Sequence, residues 1–271
     1  MSVPIDSIGF VGGGQMAEAM IRGILASGLV NPDKVMVAEP DQARRDFLQS
    51  RYGIACGTDP QELCAQCTVL VFAIKPQLAS RVLKAYQPFL GEQHLVISIM
   101  AGVPLAALAR QLGDSRRLIR VMPNTPALVL AAATAFSPNP KATEQDRAIA
   151  QALFSAVGNC VEVPENQLDA VTGLSGSGPG YVFTFIEAMI DGGILAGLPR
   201  PVAEKLVLQT VYGSAKLALE TGEHPAVLKG KVTSPGGTTI AGIQALEEGA
   251  LRGVVMAAVE AATERSRELG A

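Results

Sequence analysis

The stretch I-G-F-V-G-G-G-Q-M-A-E-A-M, residues 8–20, decides the fold. A short β-type run enters three consecutive glycines, and an apolar-periodic segment follows at once. Gly12, Gly14 and Ala17 fit the spacing G-x-G-x-x-G/A. In that pattern the first glycine permits a tight turn, the second lets a pyrophosphate approach the backbone, and the small third residue allows close helix–strand packing. The pattern predicts a strand at Ile8–Val11 and a helix over 15–27, the opening of a βαβ unit that binds a dinucleotide.

Outward from this loop, residues 35–38 read as the second strand, ending at Glu39, where an acidic residue belongs in such a unit. A carboxylate there accepts from a ribose 2′-OH and repels a 2′-phosphate, which argues for NADH. Arg44 and Arg45 lie close enough in sequence to offer a phosphate site, so NADPH stays open. Helices are expected over 42–51, 77–86 and 104–111. Strands are expected over 68–74 (T-V-L-V-F-A-I), 95–99 (L-V-I-S-I) and 118–121. Near-continuous apolar strands alternating with helices indicate a parallel sheet covered on both faces. Edge strands at 131–136 and 161–163 flank an expected helix at 144–156.

After residue 164 clear strands vanish, and helices are expected over 181–195, 202–219, 239–247 and 251–269. The fold class is therefore α/β. A mostly parallel, doubly wound dinucleotide-binding domain of the Rossmann type spans 1–164, and an all-helical domain spans 165–271. The helix Y-V-F-T-F-I-E-A-M-I-D-G-G-I-L is apolar nearly all round and must be buried on most sides. So small a domain cannot cover it alone, which predicts a helical homodimer interface.

Hydrophobic residues make up 48% and charged ones 17%, so the chain is globular. A net charge of −3 gives no electrostatic case for nucleic-acid binding, and the absence of tryptophan argues against a stacking platform for single strands. No uninterrupted apolar run is long enough to span a membrane. The N-terminal segment lacks a basic region and enters a strand pattern directly, so the expected location is the cytoplasm. Cys64 and Cys67 form a C-x-x-C without a second pair; with Cys56 and Cys160 they are read as ordinary half-buried cysteines. His94 and His224 cannot build a zinc cluster or a histidine-based triad, and no metal is expected.

The expected fourth strand ends in A-I-K-P-Q. Lys75 and Pro76 stand at its carboxyl end, where ligands bind in such sheets, although a lysine snorkelling on the rim is the plainer alternative. M-A-G (Met100, Ala101, Gly102) and M-P-N-T-P (residues 122–126) follow the next two strands and leave room for a nicotinamide ring. Asn124 could hold its amide, or serve as a turn residue. S-G-S-G-P (residues 175–179) reads as a cap for the first long helix. Further on, V-T-S-P-G-G-T-T (residues 232–239) is a loop feeding a helix. Gly236 and Gly237 let the backbone approach a small ligand. The free N–H groups of the helix start suit a carboxylate or phosphate. Thr238 and Thr239 add hydroxyls, and an ordinary capped helix start is the alternative.

The glycine loop, A-I-K-P-Q, S-I-M-A-G-V, V-M-P-N-T-P, D-A-V-T-G-L-S-G-S-G-P and T-S-P-G-G-T-T together resemble the pyrroline-5-carboxylate reductase family, in order along essentially the whole chain. The resemblance implies reduction of a cyclic imine carboxylate to proline with NADH or NADPH. It also implies a Rossmann domain followed by a helical domain that intertwines into a dimer, often assembled into larger rings. By position it puts the dinucleotide on Val11, Gly12, Gly13, Gly14, Gln15, Met16, Glu39, Ala73, Ile74, Lys75, Pro76, Ile99, Met100 and Ala101. It puts substrate on Ser234, Gly236, Gly237, Thr238 and Thr239, with Glu165 as a further substrate-site position. The carboxylate is expected on the Gly237 and Thr238 N–H groups, and the ring nitrogen at the catalytic Thr239 hydroxyl. Two departures stand out: many members carry a small polar residue where Glu39 stands, and an asparagine contact near Pro60 is replaced by D-P. Two rivals share parts of the pattern. A β-hydroxyacid dehydrogenase would need a catalytic lysine early in the second domain, where Lys205 and Lys216 lie too deep. A non-catalytic dinucleotide sensor would not need S-P-G-G-T-T.

Overall fold

The computed structural model describes residues 5–270. In chain order the first elements are β1 (Ile8–Val11), α1 (Gln15–Ala26), β2 (Val35–Ala38), α2 (Gln42–Tyr52), β3 (Ala55–Gly57), α3 (Pro60–Gln66), β4 (Val69–Phe72), α4 (Ala79–Tyr86), β5 (Leu95–Ser98), α5 (Leu105–Leu112) and β6 (Arg117–Met122). Next come β7 (Ala132–Pro138), α6 (Glu144–Ser155), β8 (Gly158–Glu162) and α7 (Leu168–Val171). The chain closes with α8 (Gly178–Leu195), α9 (Arg200–Thr221), α10 (Pro225–Lys231), α11 (Thr238–Glu248) and α12 (Leu251–Gly270).

The strands form one sheet in the order β3-β2-β1-β4-β5-β6-β7-β8. All neighbours are parallel except β6 and β7. The order reverses between β1 and β4. A crevice therefore opens beyond their carboxyl ends, where ligands bind in sheets of this kind. Every residue of β1, β2, β4 and β5 is buried, as their unbroken apolar runs require. Alternate side chains feed two cores. Val69 and Val71 of β4 join Phe10, Val37 and Ile97 beneath Met20, Ile21 and Phe154. Leu70 and Phe72 join Met36 and Val96 beneath Leu63, Leu83 and Leu108.

Several short elements escape periodicity. β3 has three residues, too few to show an alternation. α3 does carry a signal: Asp59 accepts from Gln61 N (2.9 Å) as its N-cap, with Pro60 at the first position. α10 is capped by His224, whose Nδ1 accepts from Ala226 N (3.2 Å).

Within the segment 175–179, a π-helical turn at Thr172–Gly176 continues from α7, and Ser175 Oγ donates backwards to Val171 O (3.1 Å), so Ser175 itself does not cap α8; Ser177 is the residue that stands directly before it. Cys64 and Cys67 lie within the core rather than half-buried, and burial pushes their thiols up to about 11 and about 12. His94 is also buried. Its Nδ1 accepts from Gly91 N (2.7 Å), leaving Nε2 to carry the proton toward Cys64 O (2.9 Å).

The contacts divide the chain differently from 1–164 and 165–271. One unit runs to Ser177 and regains the chain from Glu260 onward; the other is Gly178–Val259. Buried Arg120 on β6 ties residues 165–169 and the end of α12 to the first unit. It pairs with Glu165 (3.4 Å) and Asp169 (3.4 Å), and Ser266 of α12 donates to Asp169 Oδ1 (2.8 Å). The last turn of α12 also packs at Gly102, where an added Cβ would stand 3.4 Å from Leu269 Cβ.

The second unit has almost no interior of its own. Of its described residues only Ala203 and Val207 are buried, and α8 has no buried residue at all. Phe183, Tyr212, Val254 and Met256 are each more than 60% exposed.

Candidate active site

The glycine loop lies at the switch point. Gly12 adopts φ +94°, and its N–H donates to Ala38 O (2.8 Å), tying the end of β1 to that of β2. A Cβ on Gly12 would sit 2.8 Å from Ala73 O and 2.9 Å from Ile74 Cγ2. A Cβ on Gly13 would meet Leu48 Cδ1 at 2.8 Å. Gly14 faces open space, with nothing within 4 Å of an added Cβ, and it caps α1 without any side-chain bond. Within the described residues the N–H groups of Gln15, Met16 and Ala17 find no acceptor; the first intrahelical bond is Glu18 N to Gly14 O (3.0 Å). Ala17 is fully buried against the sheet. Gly12 thus makes a tight turn and Ala17 a close helix–strand contact, Gly14 leaves its face open, and the bare helix start fits a pyrophosphate.

Glu39 stands beside this loop. Its Oε2 accepts from Gly13 N (2.8 Å) and its Oε1 from Asp41 N (3.0 Å). Arg44 donates through Nε to Gly13 O (2.5 Å) and pairs with Glu18. Burial raises the Glu18 carboxyl, but hydrogen bonds from Arg44 and Tyr52 outweigh it and hold the group below its ordinary value. At the other strand ends, Lys75 is exposed and Met100 is buried, with its N–H on Ser98 Oγ (3.3 Å). Ala73 N donates to Val11 O (2.9 Å) and Ile99 N to Phe72 O (3.1 Å), so both extend the ladder past the strands. Pro76 opens a single 3-10 turn leading to α4.

Two expected ligand groups have other partners. Asn124 is buried; its Nδ2 donates to Ser175 O (3.0 Å) and its Oδ1 accepts from Ala133 N (2.9 Å). Its amide therefore ties the turn after β6 to the π-turn and to the start of β7. Glu165 Oε1 accepts from Leu105 N (2.6 Å) beside its pairing with Arg120. That carboxylate is engaged at the start of α5, in a network that sequence inspection missed because Arg120 carries no local signal.

In the helical unit, S-P-G-G folds as a tight turn. Gly237 N donates to Ser234 O (3.1 Å), and Gly236 takes φ +65°, which its missing side chain permits. A Cβ on Gly237 would collide with Ser234 Oγ. The glycines therefore serve the turn itself, and the Gly237 N–H is already used. Gly237 caps α11 with no side-chain bond. Among the described residues the Thr238 and Thr239 N–H groups have no acceptor, and both threonine hydroxyls are exposed without a partner. Elsewhere in this unit Thr184, Thr210, Thr221 and Thr233 each donate to the carbonyl four residues back. At the head of α11 there is no preceding helical turn to take that bond.

The glycine loop at the switch point, with its open helix start and adjacent carboxylate, defines a dinucleotide-binding α/β protein of the Rossmann type with a helical second unit. Residues 165–269 match the family described as pyrroline-5-carboxylate reductase dimerisation, and residues 7–102 match NADP oxidoreductase coenzyme F420-dependent. The pyrroline-5-carboxylate reductase of Synechocystis sp. is 51% identical over 263 residues, 97% of this chain and 98% of the relative. Among solved structures, a pyrroline-5-carboxylate reductase from Coxiella burnetii matches with a TM-score of 0.94 at 36% identity, covering 99% of this chain and all of that one. Pyrroline carboxylate reductase of Plasmodium falciparum with NADP bound matches with a TM-score of 0.88 at 32% identity, covering both chains in full. The chain belongs to the pyrroline-5-carboxylate reductase family.

Proposed function

We propose that this protein reduces 1-pyrroline-5-carboxylate to L-proline with NADPH or NADH. One observation carries the reading beyond family membership. The head of α11 presents unpaired N–H groups and two free hydroxyls, a donor set sized for a carboxylate with a nitrogen nearby. The substrate has those two features. The Thr238 and Thr239 N–H groups hold its carboxylate, in place of the Gly237 N–H that the turn uses. The Thr239 hydroxyl both donates and accepts, so it can meet the imine nitrogen in either protonation state.

The dinucleotide rests on the loop from Val11 to Ala17, with Glu39 toward its ribose. Lys75, Pro76 and the backbone of Ile99, Met100 and Ala101 border the nicotinamide end. When bound, the reduced nicotinamide supplies the hydride. A protonated imine is already electrophilic, so the chain needs only to position it and stabilise its nitrogen. No histidine base is required. Steady-state assays of NADPH and NADH oxidation test the proposal. Saturable turnover that depends on pyrroline-5-carboxylate is expected. Turnover on a β-hydroxy acid with the oxidised dinucleotide, and none on the imine, would favour the dehydrogenase alternative instead.

The helical unit is proposed to dimerise, with ring assembly of dimers as the larger form. Tyr181, Phe185, Val211, Val254 and Val255 line an apolar groove of about 530 Å³ within this unit, suited to a second copy's helices. A unit with so little interior is stable only when covered. The melting temperature is therefore expected to rise with protein concentration. A concentration-independent transition, with light scattering reporting a folded monomer at micromolar concentration, would contradict the dimer. The proposed location is the cytoplasm; no helix of the described residues is long and apolar enough to cross a membrane.

A further inference from the structure

We propose that Glu39 makes this chain select NADH over NADPH, an inference that rests on the dinucleotide-binding half of the function above. The Glu39 carboxylate is fixed at the loop rather than free to turn aside. Oε2 is held by Gly13 N (2.8 Å) and Oε1 by Asp41 N (3.0 Å), so swinging away gives up both bonds and strands the N–H of buried Gly13. Each oxygen keeps a lone pair that can accept from a ribose hydroxyl. A 2′-phosphate brings negative charge and no useful donor, and it meets a carboxylate held in place by these bonds.

The neighbouring cations are committed elsewhere. Arg44 gives Nε to Gly13 O (2.5 Å) and a terminal nitrogen to Gly14 O (3.4 Å) and Glu18, and its guanidinium lies 5.1 Å over the Phe47 ring. Arg45 donates to Glu39 O (2.6 Å), Pro40 O (2.8 Å) and Gln42 Oε1. Turning Arg44 toward a phosphate would break its ion pair and leave the Gly13 carbonyl bare. The two arginines that could serve as a phosphate socket in sequence instead brace the backbone around the carboxylate.

The test is calorimetric titration of the intact protein with NADH and with NADPH in one buffer at one ionic strength. The wild type should bind NADH about tenfold tighter or more. Glu39→Ser should move the affinity ratio toward NADPH by at least about tenfold. Glu39→Gln, which keeps the side chain's shape and an acceptor for the loop, should move it the same way through charge alone. Arg44→Ala should leave the ratio within about twofold. Equal or tighter NADPH binding by the wild type overturns the inference, as does an unchanged ratio in Glu39→Gln or a selective loss of NADPH in Arg44→Ala. Binding of neither dinucleotide would instead defeat the functional reading on which the inference stands.

Discussion

Thr239→Ala is expected to lower kcat by roughly ten- to a thousandfold, the range for a lost active-site hydrogen bond or proton-transfer group. The Thr239 hydroxyl is exposed in the first turn of α11 and, like that of Thr238, has no partner among the described residues, whereas Thr184, Thr210, Thr221 and Thr233 bond back to carbonyls four residues earlier. Its removal therefore costs the fold little, and the melting temperature should be nearly unchanged. Dinucleotide affinity should also hold, because the loop beyond β1 is untouched. The loss should appear in kcat more than in KM, since the nitrogen's bonding changes as the imine becomes an amine while the carboxylate contacts persist. Thr239→Ser restores a hydroxyl and should recover much of the rate. Wild-type turnover in a folded Thr239→Ala protein would remove the residue from the chemistry.

Gly12→Ala should be the most damaging single methyl in the dinucleotide half. The residue sits at φ +94°, a conformation that costs a non-glycine residue about 1–2 kcal/mol, and its Cβ would press on Ala73 O and Ile74 Cγ2 for about 1–3 kcal/mol more. A combined loss of about 2–5 kcal/mol corresponds to a melting temperature lower by roughly 4–20 °C. Gly14→Ala provides the contrast. Gly14 has φ −65° and nothing within 4 Å of an added Cβ, so that variant should melt like the wild type. Its methyl would instead enter the space a pyrophosphate needs, weakening dinucleotide binding by about tenfold or more. Thermal melts and dinucleotide titrations of both variants check this. Similar melting for the two proteins would contradict the assigned glycine roles.

The β1 loop was legible because period, glycine spacing and position in the chain all pointed the same way. The two-faced sheet was legible for a similar reason: T-V-L-V-F-A-I cannot lie on a surface. What sequence inspection could not resolve depends on partners distant along the chain. Asn124 fits a turn and a ligand equally well until Ser175 and Ala133 are seen to claim its amide. Glu165 and Arg120 are 45 positions apart, and nothing local announces their pairing. The return of the end of α12 to the first unit has the same origin, since α12 looks uniform along its length although Ser266 donates to Asp169. At S-P-G-G-T-T the turn and the helix start were legible, but not the use of each atom. The glycines belong to the turn, and the N–H groups without an acceptor among the described residues begin one residue later.

Isotope transfer tests the central claim most directly. With pyrroline-5-carboxylate and a reduced dinucleotide deuterated at the transferable position of C4, the product should be L-proline carrying one deuterium, located at the former imine carbon. Proline without deuterium there, or no proline from either dinucleotide, would contradict the account.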